Sequence, residues 1–226
     1  MVQPGDRGTG MIVAVLGGTG KEGSALAQRW ALNGLQVIIG SRDAARAASR
    51  AEELNAELDG DYLRGMGNTE AAAAADVVVL SVPYDAHKAT LEGVKDQLAG
   101  KVLVDITVPL KPPKVRTVHL PEGQSAALEA QALLGENVKV VAAFQNISYI
   151  KLADLKGDVD CDVLVCGNDE DAKAKVVQLV KAAGMRGIDA GTLPNAIAIE
   201  ALTPVLLYIN KKYGIKSSGI HITGIN

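Results

Sequence analysis

An α/β fold, a doubly wound parallel sheet followed by a small C-terminal α/β unit, is what this sequence predicts, and three observations predict it. The first is the opening strand, Met11-Ile12-Val13-Ala14-Val15-Leu16, which runs directly into Gly17-Gly18-Thr19-Gly20-Lys21-Glu22-Gly23 and then into an amphipathic helix carrying Ala25, Leu26, Trp30 and Leu32. The second is the alternation of short apolar runs with helix-like runs up to residue 144, the pattern of parallel strands with helices on both faces. The third is Val77-Val78-Val79-Leu80-Ser81-Val82, nearly all β-branched, as a strand buried on both faces requires.

Within the first of these, Gly18, Gly20 and Gly23 form G-x-G-x-x-G. Placed between a strand and a helix, this is the Rossmann-type dinucleotide signature: one glycine for a tight turn, one for close approach of backbone to a pyrophosphate, one for helix-to-strand packing. The pyrophosphate belongs on the helix N-terminus, where free N–H groups and the helix dipole favour an anion. An NAD site normally ends its second strand in an acid that holds the ribose 2′-hydroxyl. Here the second strand, Val37-Ile38-Ile39, ends in Gly40-Ser41-Arg42, with Arg46 one helical turn further on. A hydroxyl and two guanidinium groups suit a 2′-phosphate, so NADP is the expected cofactor, with Thr19 as a further hydroxyl from the glycine loop.

The remaining elements follow in order. Asp43 stands where the N-cap of a helix to Leu58 belongs. A weak strand at 62–66 and a short alanine helix at 70–75 lead to the Val77 strand, which ends at Pro83. A helix at 85–98, a strand at 102–105, a Pro-Lys loop at 108–123, a helix at 125–134 and a strand at 138–144 complete an expected cofactor domain spanning 11–144. A smaller unit, 145–226, holds strands at 163–166 and 185–189, a helix at 171–183 and a long apolar helix at 194–212. That helix bears Ile197, Ile199, Leu202, Val205, Leu206, Leu207 and Ile209 but is interrupted by Glu200 and Pro204. Burial against the cofactor domain or a second subunit, giving a homodimer, explains it better than a membrane span, and Pro204 should kink it. Residues 1–10 are polar and glycine-rich and read as a flexible lead without a signal peptide's apolar run, in a cytoplasmic protein.

Composition removes several classes of function. With 23 basic against 26 acidic residues the net charge is −3, so no field recruits nucleic acid or an anionic membrane, and 3 % aromatics are too few for base stacking. Cys161 and Cys166, five apart, face opposite sides of one strand and read as buried apolar residues. No metal-ligand spacing is present, no Tyr-x-x-x-Lys pair suggests a short-chain dehydrogenase, and His87, His119 and His221 each lack an evident carboxylate partner in the sequence. No catalytic side chain and no metal site is therefore assigned.

In a doubly wound sheet, ligands bind at the C-terminal strand edges. Those edges carry the glycine loop, Ser41-Arg42, Ser81-Val82-Pro83, Ile106-Thr107-Val108 and Ala143 with Gln145-Asn146-Ile147. Small and apolar groups there, without acid/base equipment, suit hydride exchange between two organic cofactors held by position.

At these residues the chain resembles the NADPH-dependent reductases of the deazaflavin coenzyme F420. The likeness runs through Val15-Leu16-Gly17-Gly18-Thr19-Gly20, Gly40-Ser41-Arg42 with Arg46, Ser81-Val82-Pro83 and Val140-Val141-Ala142-Ala143-Phe144. It continues in Val165-Cys166-Gly167-Asn168-Asp169 and in Asp189-Ala190-Gly191-Thr192-Leu193 with Glu200-Ala201-Leu202-Thr203-Pro204. The resemblance implies that Thr19, Ser41, Arg42 and Arg46 hold the 2′-phosphate and that the deazaflavin is the second substrate. It implies a kinship with the reductase domain of transmembrane metalloreductases as well. One departure stands out: Gln145-Asn146 occupies the strand end where relatives carry a histidine near the deazaflavin. Lys111, Lys114, Arg116, Lys211 and Lys212 are expected to attract that coenzyme's acidic tail. Two competing readings remain, an NADPH-dependent reductase of another acceptor (imine, flavin or ferric chelate) and an NADP-sensing protein without turnover.

Overall fold

The computed structural model describes residues 10–225, so most of the expected N-terminal lead lies outside the described residues. Eight strands form one sheet in the order β3-β2-β1-β4-β5-β6-β7-β8. They are β1 (Ile12–Leu16), β2 (Gln36–Ser41), β3 (Leu63–Gly67), β4 (Val77–Leu80), β5 (Val102–Asp105), β6 (Lys139–Ala142), β7 (Asp162–Gly167) and β8 (Arg186–Asp189). The helices are α1 (Lys21–Leu32), α2 (Ala44–Leu58), α3 (Asn68–Ala74), α4 (Tyr84–Val94), α5 (Ala126–Leu134), α6 (Tyr149–Leu152), α7 (Glu170–Ala182) and α8 (Ala196–Tyr213).

Alternation along the strands builds three layers. Val13, Val15, Val37, Ile39, Val77 and Val79 point to the face covered by α1, α2, α6 and α7, with Trp30, Leu54, Leu152, Val176 and Leu179. Ala14, Leu16, Ile38, Val78 and Leu80 point to the other face, covered by α3, α4, α5 and α8. Period-two side-chain alternation makes both faces apolar, which is why these strands read as unbroken hydrophobic runs. The chain builds outward from β1 through β2 and β3, then returns to lay β4 on β1's other side, Ala14 pairing with both Ile38 and Val78. That reversal opens a crevice at the C-terminal ends of β1 and β4.

The expectation of a parallel sheet holds for every neighbouring pair except one. β6 and β7 are antiparallel, with Val141 opposite Gly167 and Ala142 opposite Cys166. A parallel return needs a crossover, usually a helix laid across the sheet, and the link between these strands holds only the four-residue α6. β7 and β8, joined by α7, are parallel again and extend the same sheet.

Capping agrees with the sequence. Asp43 Oδ1 accepts from the N–H groups of Ala45 (3.0 Å) and Arg46 (3.2 Å), opening α2, and Ser125 and Asp169 cap α5 and α7 in the same way. α8 runs unbroken through Pro204 and buries Ala196, Ile199, Glu200, Pro204 and Leu206. Its remaining face is open, with Val205 43 % and Tyr208 55 % exposed. With its 3-10 lead this helix is long and apolar enough, by length and composition alone, to cross a membrane. Cys161 and Cys166 are free and buried in opposite layers.

Arg29, in the last turn of α1, is buried, and its guanidinium donates to five main-chain carbonyls: Leu152 (2.8 Å), Gly157 (3.1 Å), Ala183 (3.0 Å), Lys151 (3.3 Å) and Asp154. It ties α6 and the loop behind it to α1. Such a charge is tolerated inside because every donor direction finds a carbonyl.

Candidate active site

The glycine loop is shaped by contacts that leave no room for side chains. Gly17 has φ +76°, and a Cβ there would lie 2.3 Å from the Ser81 carbonyl oxygen, so the tight turn falls one residue before the first glycine of the motif. Gly23 plays the packing part expected of it, since a Cβ would sit 3.0 Å from both Gly18 Cα and Ser81 Oγ. Ser24 Oγ donates to the Gly18 carbonyl (2.8 Å) and accepts from Arg50 Nε (3.2 Å), bracing the loop from α2. No side chain caps α1 at Gly20, so the first-turn N–H groups of Lys21, Glu22 and Gly23 remain open to an anion.

On the β2 side, Ser41 closes the strand with its Oγ accepting from the Asp43 N–H at 3.2 Å. Arg42 and Arg46 are exposed, and among the described residues neither has a carboxylate within ion-pair distance. Between Arg42, Gly67-Asn68-Thr69 and the start of α4 at Pro83 and Asp85 lies a cavity of about 720 Å³. Asn68 Oδ1 is buried and has no partner.

On the other side of the loop, Ser81 and Val82 press against Gly17 and Gly23, and Val108 follows the end of β5. The β6 end is more constrained than the sequence suggests. Phe144 is a buried aromatic at φ +72°, a backbone conformation costing on the order of 1–3 kcal/mol, and it is held by an edge-to-face contact with Trp30 (centroids 5.9 Å apart). That turn directs Gln145 Nε2 to the Asp105 carbonyl (2.8 Å) and Asn146 Nδ2 to the Asp162 carbonyl (2.7 Å). The opposite atoms, Gln145 Oε1 and Asn146 Oδ1, are buried without partners, as is Thr107 Oγ1. Ala143 and Ile147 belong to the core, so the structure gives their side chains to packing.

The reading that no histidine has a carboxylate partner is overturned. His87 Nε2 lies 2.7 Å from Asp105 Oδ2, both side chains buried, and His221 Nε2 lies 2.8 Å from Asp160 Oδ1 at the surface. Burial pushes the His87 imidazole down. The hydrogen bond and charge of Asp105, helped by Glu129, push it up, and the balance lies above the ordinary histidine value. Asp105 Oδ1 in turn accepts from the Thr107 N–H (3.0 Å). The pair thereby links α4 to the loop after β5.

α8 reaches the same place. Both Glu200 oxygens accept from the N-terminus of α5, at Ala126 (2.7 Å) and Ala127 (3.1 Å), and Thr203 Oγ1 donates to the Gln145 carbonyl (2.6 Å). Burial pushes the Glu200 carboxyl up to about 8 against the pull of those two N–H groups. Tyr84 donates to Glu129 (2.7 Å), and its phenol is pushed up by burial and by that carboxylate. Lys111, Lys114, Arg116, Lys211 and Lys212 are all exposed.

The comparisons with known proteins bear on this arrangement directly. Residues 12–109 match the family described as NADP oxidoreductase, coenzyme F420-dependent. An F420-dependent NADP reductase of Methanothermobacter marburgensis is 45 % identical over 222 residues, covering 95 % of this chain and 99 % of that protein. One from Methanocaldococcus jannaschii is 44 % identical over 227 residues, with the same coverage of both. This chain belongs to the F420-dependent NADP reductase family. Family likeness extends at 32 % identity to metalloreductase STEAP3 of Rattus norvegicus, over 84 % of this chain and 36 % of that protein. Among solved structures, a hypothetical protein of Sinorhizobium meliloti aligns with TM-score 0.70 at 25 % identity, covering 85 % of this chain and 88 % of that one. An imine reductase of Myxococcus stipitatus aligns with TM-score 0.65 at 18 % identity, over 91 % and 63 %, a likeness of fold.

For this member of the reductase family, sequence reasoning missed His87 with Asp105, and Glu200 with the α5 N-terminus. A signal for the first was present: Asp105 ends the otherwise apolar Val102-Leu103-Val104, and a buried acid demands a partner.

Proposed function

We propose that the protein transfers a hydride between NADP(H) and the deazaflavin coenzyme F420. The observation that carries this reading is the full-length match, at 45 % identity, to an F420-dependent NADP reductase. The geometry suits the first substrate. The uncapped start of α1 takes the pyrophosphate, while Ser41, Arg42 and Arg46, with Thr19, take the 2′-phosphate. Orphaned buried oxygens at Thr107, Gln145 and Asn146 suit ring substituents that carry N–H donors.

When bound, the two coenzymes supply the redox chemistry, a hydride passing between nicotinamide C4 and deazaflavin C5. The protein's part is to orient and to exclude water. Ser81-Val82-Pro83 and Val108 would form the floor against which the rings bind, backed by the buried 145–147 turn. His87 and Asp105 hold the β5 loop, Thr203 holds the β6 turn, and no side chain need exchange a covalent bond with substrate. We place the nucleotide on residues 11–144 and the second wall of the cleft on 145–226. The open apolar side of α8, with Val205 and Tyr208, is the contact of a homodimer. Two free, buried cysteines accord with a cytoplasmic protein.

The test is stereospecifically deuterated NADPH incubated with the protein and F420. The coenzyme's visible absorbance should bleach and deuterium should appear at its carbon 5. An inert deazaflavin together with reduction of an imine, flavin or ferric chelate moves the protein to another acceptor, and NADPH binding without any oxidation makes it a sensor.

A further inference from the structure

Glu22 is a carboxyl that nothing in the fold accounts for. It occupies the second position of α1, is half-buried, and makes no hydrogen bond or ion pair among the described residues. Its neighbours fix where it points. Gly23 faces the end of β4, where a Cβ would be 3.0 Å from Ser81 Oγ, and Lys21 faces α6, its Nζ 5.2 Å from the Tyr149 ring centroid. Successive helical side chains are about 100° apart, so Glu22 leaves α1 between those two directions, into the gap between the end of β4 and α6. The ionisable groups on the elements around that gap are Lys21, Tyr84 and Asp85 at the start of α4, Tyr149 and Lys151 on α6, and His87 with Asp105 behind the β5 end. None of them displaces Glu22, and burial alone pushes its carboxyl up to about 8.

This side of the glycine loop belongs to the nicotinamide half of the dinucleotide, an assignment that rests on the site reading above. Arg42 and Arg46 hold the 2′-phosphate beside β2, so a molecule crossing the loop extends its other half toward β4 and α6. The nicotinamide ring is cationic when oxidised and neutral when reduced. A carboxyl without partners is neutral beside the reduced ring, and a carboxylate is favoured beside the cation. We propose that Glu22 senses the redox state of the bound dinucleotide, ionising when NADP+ binds and remaining protonated with NADPH, so that only the oxidised form expels a proton.

Kd values for NADP+ and NADPH, measured between pH 6 and 9.5 on the wild type and on Glu22→Gln, test this. The phosphates are common to both forms and cancel in the ratio. In the wild type the ratio of Kd for NADP+ to Kd for NADPH should fall about tenfold as pH rises through 8, the equivalent of a one-unit displacement of one group. In Glu22→Gln it should be flat. Calorimetry of the wild type in buffers of different ionisation enthalpy should show proton release near pH 7.5 with NADP+ and none with NADPH, a readout independent of any variant. A flat wild-type ratio overturns the proposal. So does a slope that survives in Glu22→Gln, and so does equal weakening of both forms at high pH, which would put the carboxylate against the pyrophosphate. Failure of the underlying site reading shows separately, as an NADPH preference that ignores Arg42.

Discussion

Replacing Arg42 with glutamate should destroy the preference for NADPH over NADH, and the size of the effect follows from the state of the β2 end. Ser41 is already held by the Asp43 N–H, and neither Arg42 nor Arg46 has an ion pair to break before it meets a phosphate. A hydrogen bond to a charged group is worth about 1.5–3 kcal/mol, and the exposure of Arg42 argues for the lower end. Its loss therefore costs about 1.5 kcal/mol, a factor of roughly ten. The new carboxylate then faces a phosphate of nearly two charges, adding about 2 kcal/mol at 4 Å in water. The sum, about 3.5 kcal/mol, predicts NADPH binding weaker by a few hundredfold. NADH, which offers a 2′-hydroxyl to that carboxylate, should hold its affinity or gain. Fluorescence titration of both nucleotides gives the comparison, and raising the salt should shrink the NADPH loss because the repulsive part is screened. Equal wild-type affinities for the two nucleotides, or a variant that loses NADH as severely as NADPH, would falsify the 2′-phosphate assignment.

Two further outcomes follow from the packing. Tyr208→Glu puts a charge on the open side of α8 and should convert a dimer to monomers by light scattering while leaving the melting temperature of the subunit little changed; an unaltered mass removes α8 from the interface. Leu206, by contrast, is buried within its own chain, so a charge there reports on folding. His87→Gln removes the charged partner of a buried carboxylate and should cost about 1–3 kcal/mol at pH 6. Because the folded imidazole is raised, its contribution is complete below about pH 6.5 and is lost as pH rises through the folded value, so wild type and variant should converge on the alkaline side. Glu200, raised to about 8, runs in the same direction but is untouched by the substitution. A stability gap that stays constant with pH would show that the pair is not charged.

What could be read from the sequence was what local sterics and periodicity dictate. The glycine loop, the apolar runs, the Asp43 cap and the cationic end of β2 are each specified within a few residues. Strand direction is not: β7 has the same composition whichever way it runs, and only the absence of a crossover helix in the preceding link decides it. The His87–Asp105 pair was hidden for a similar reason, its members 18 residues apart and joined by the adjacency of α4 and β5. Nor does composition reveal Arg29, since five carbonyl partners leave no trace in side-chain identity. Phe144 was legible as a core aromatic but not as a residue with positive φ, because nothing in its type favours that conformation.

Arg29 has a mechanical meaning for the cleft. α1 is a 12-residue rod, about 18 Å long, that begins at the glycine loop and ends at the guanidinium gripping residues 151–183. On the reading proposed above, the two walls of the cleft meet opposite ends of one strut, and their spacing is gauged by the length of a hydrogen-bonded helix instead of by a hinge. A wall cannot swing without bending the rod or unseating five carbonyls. Shortening or kinking α1 at its middle, far from either coenzyme, would alter the gap across which the hydride must travel.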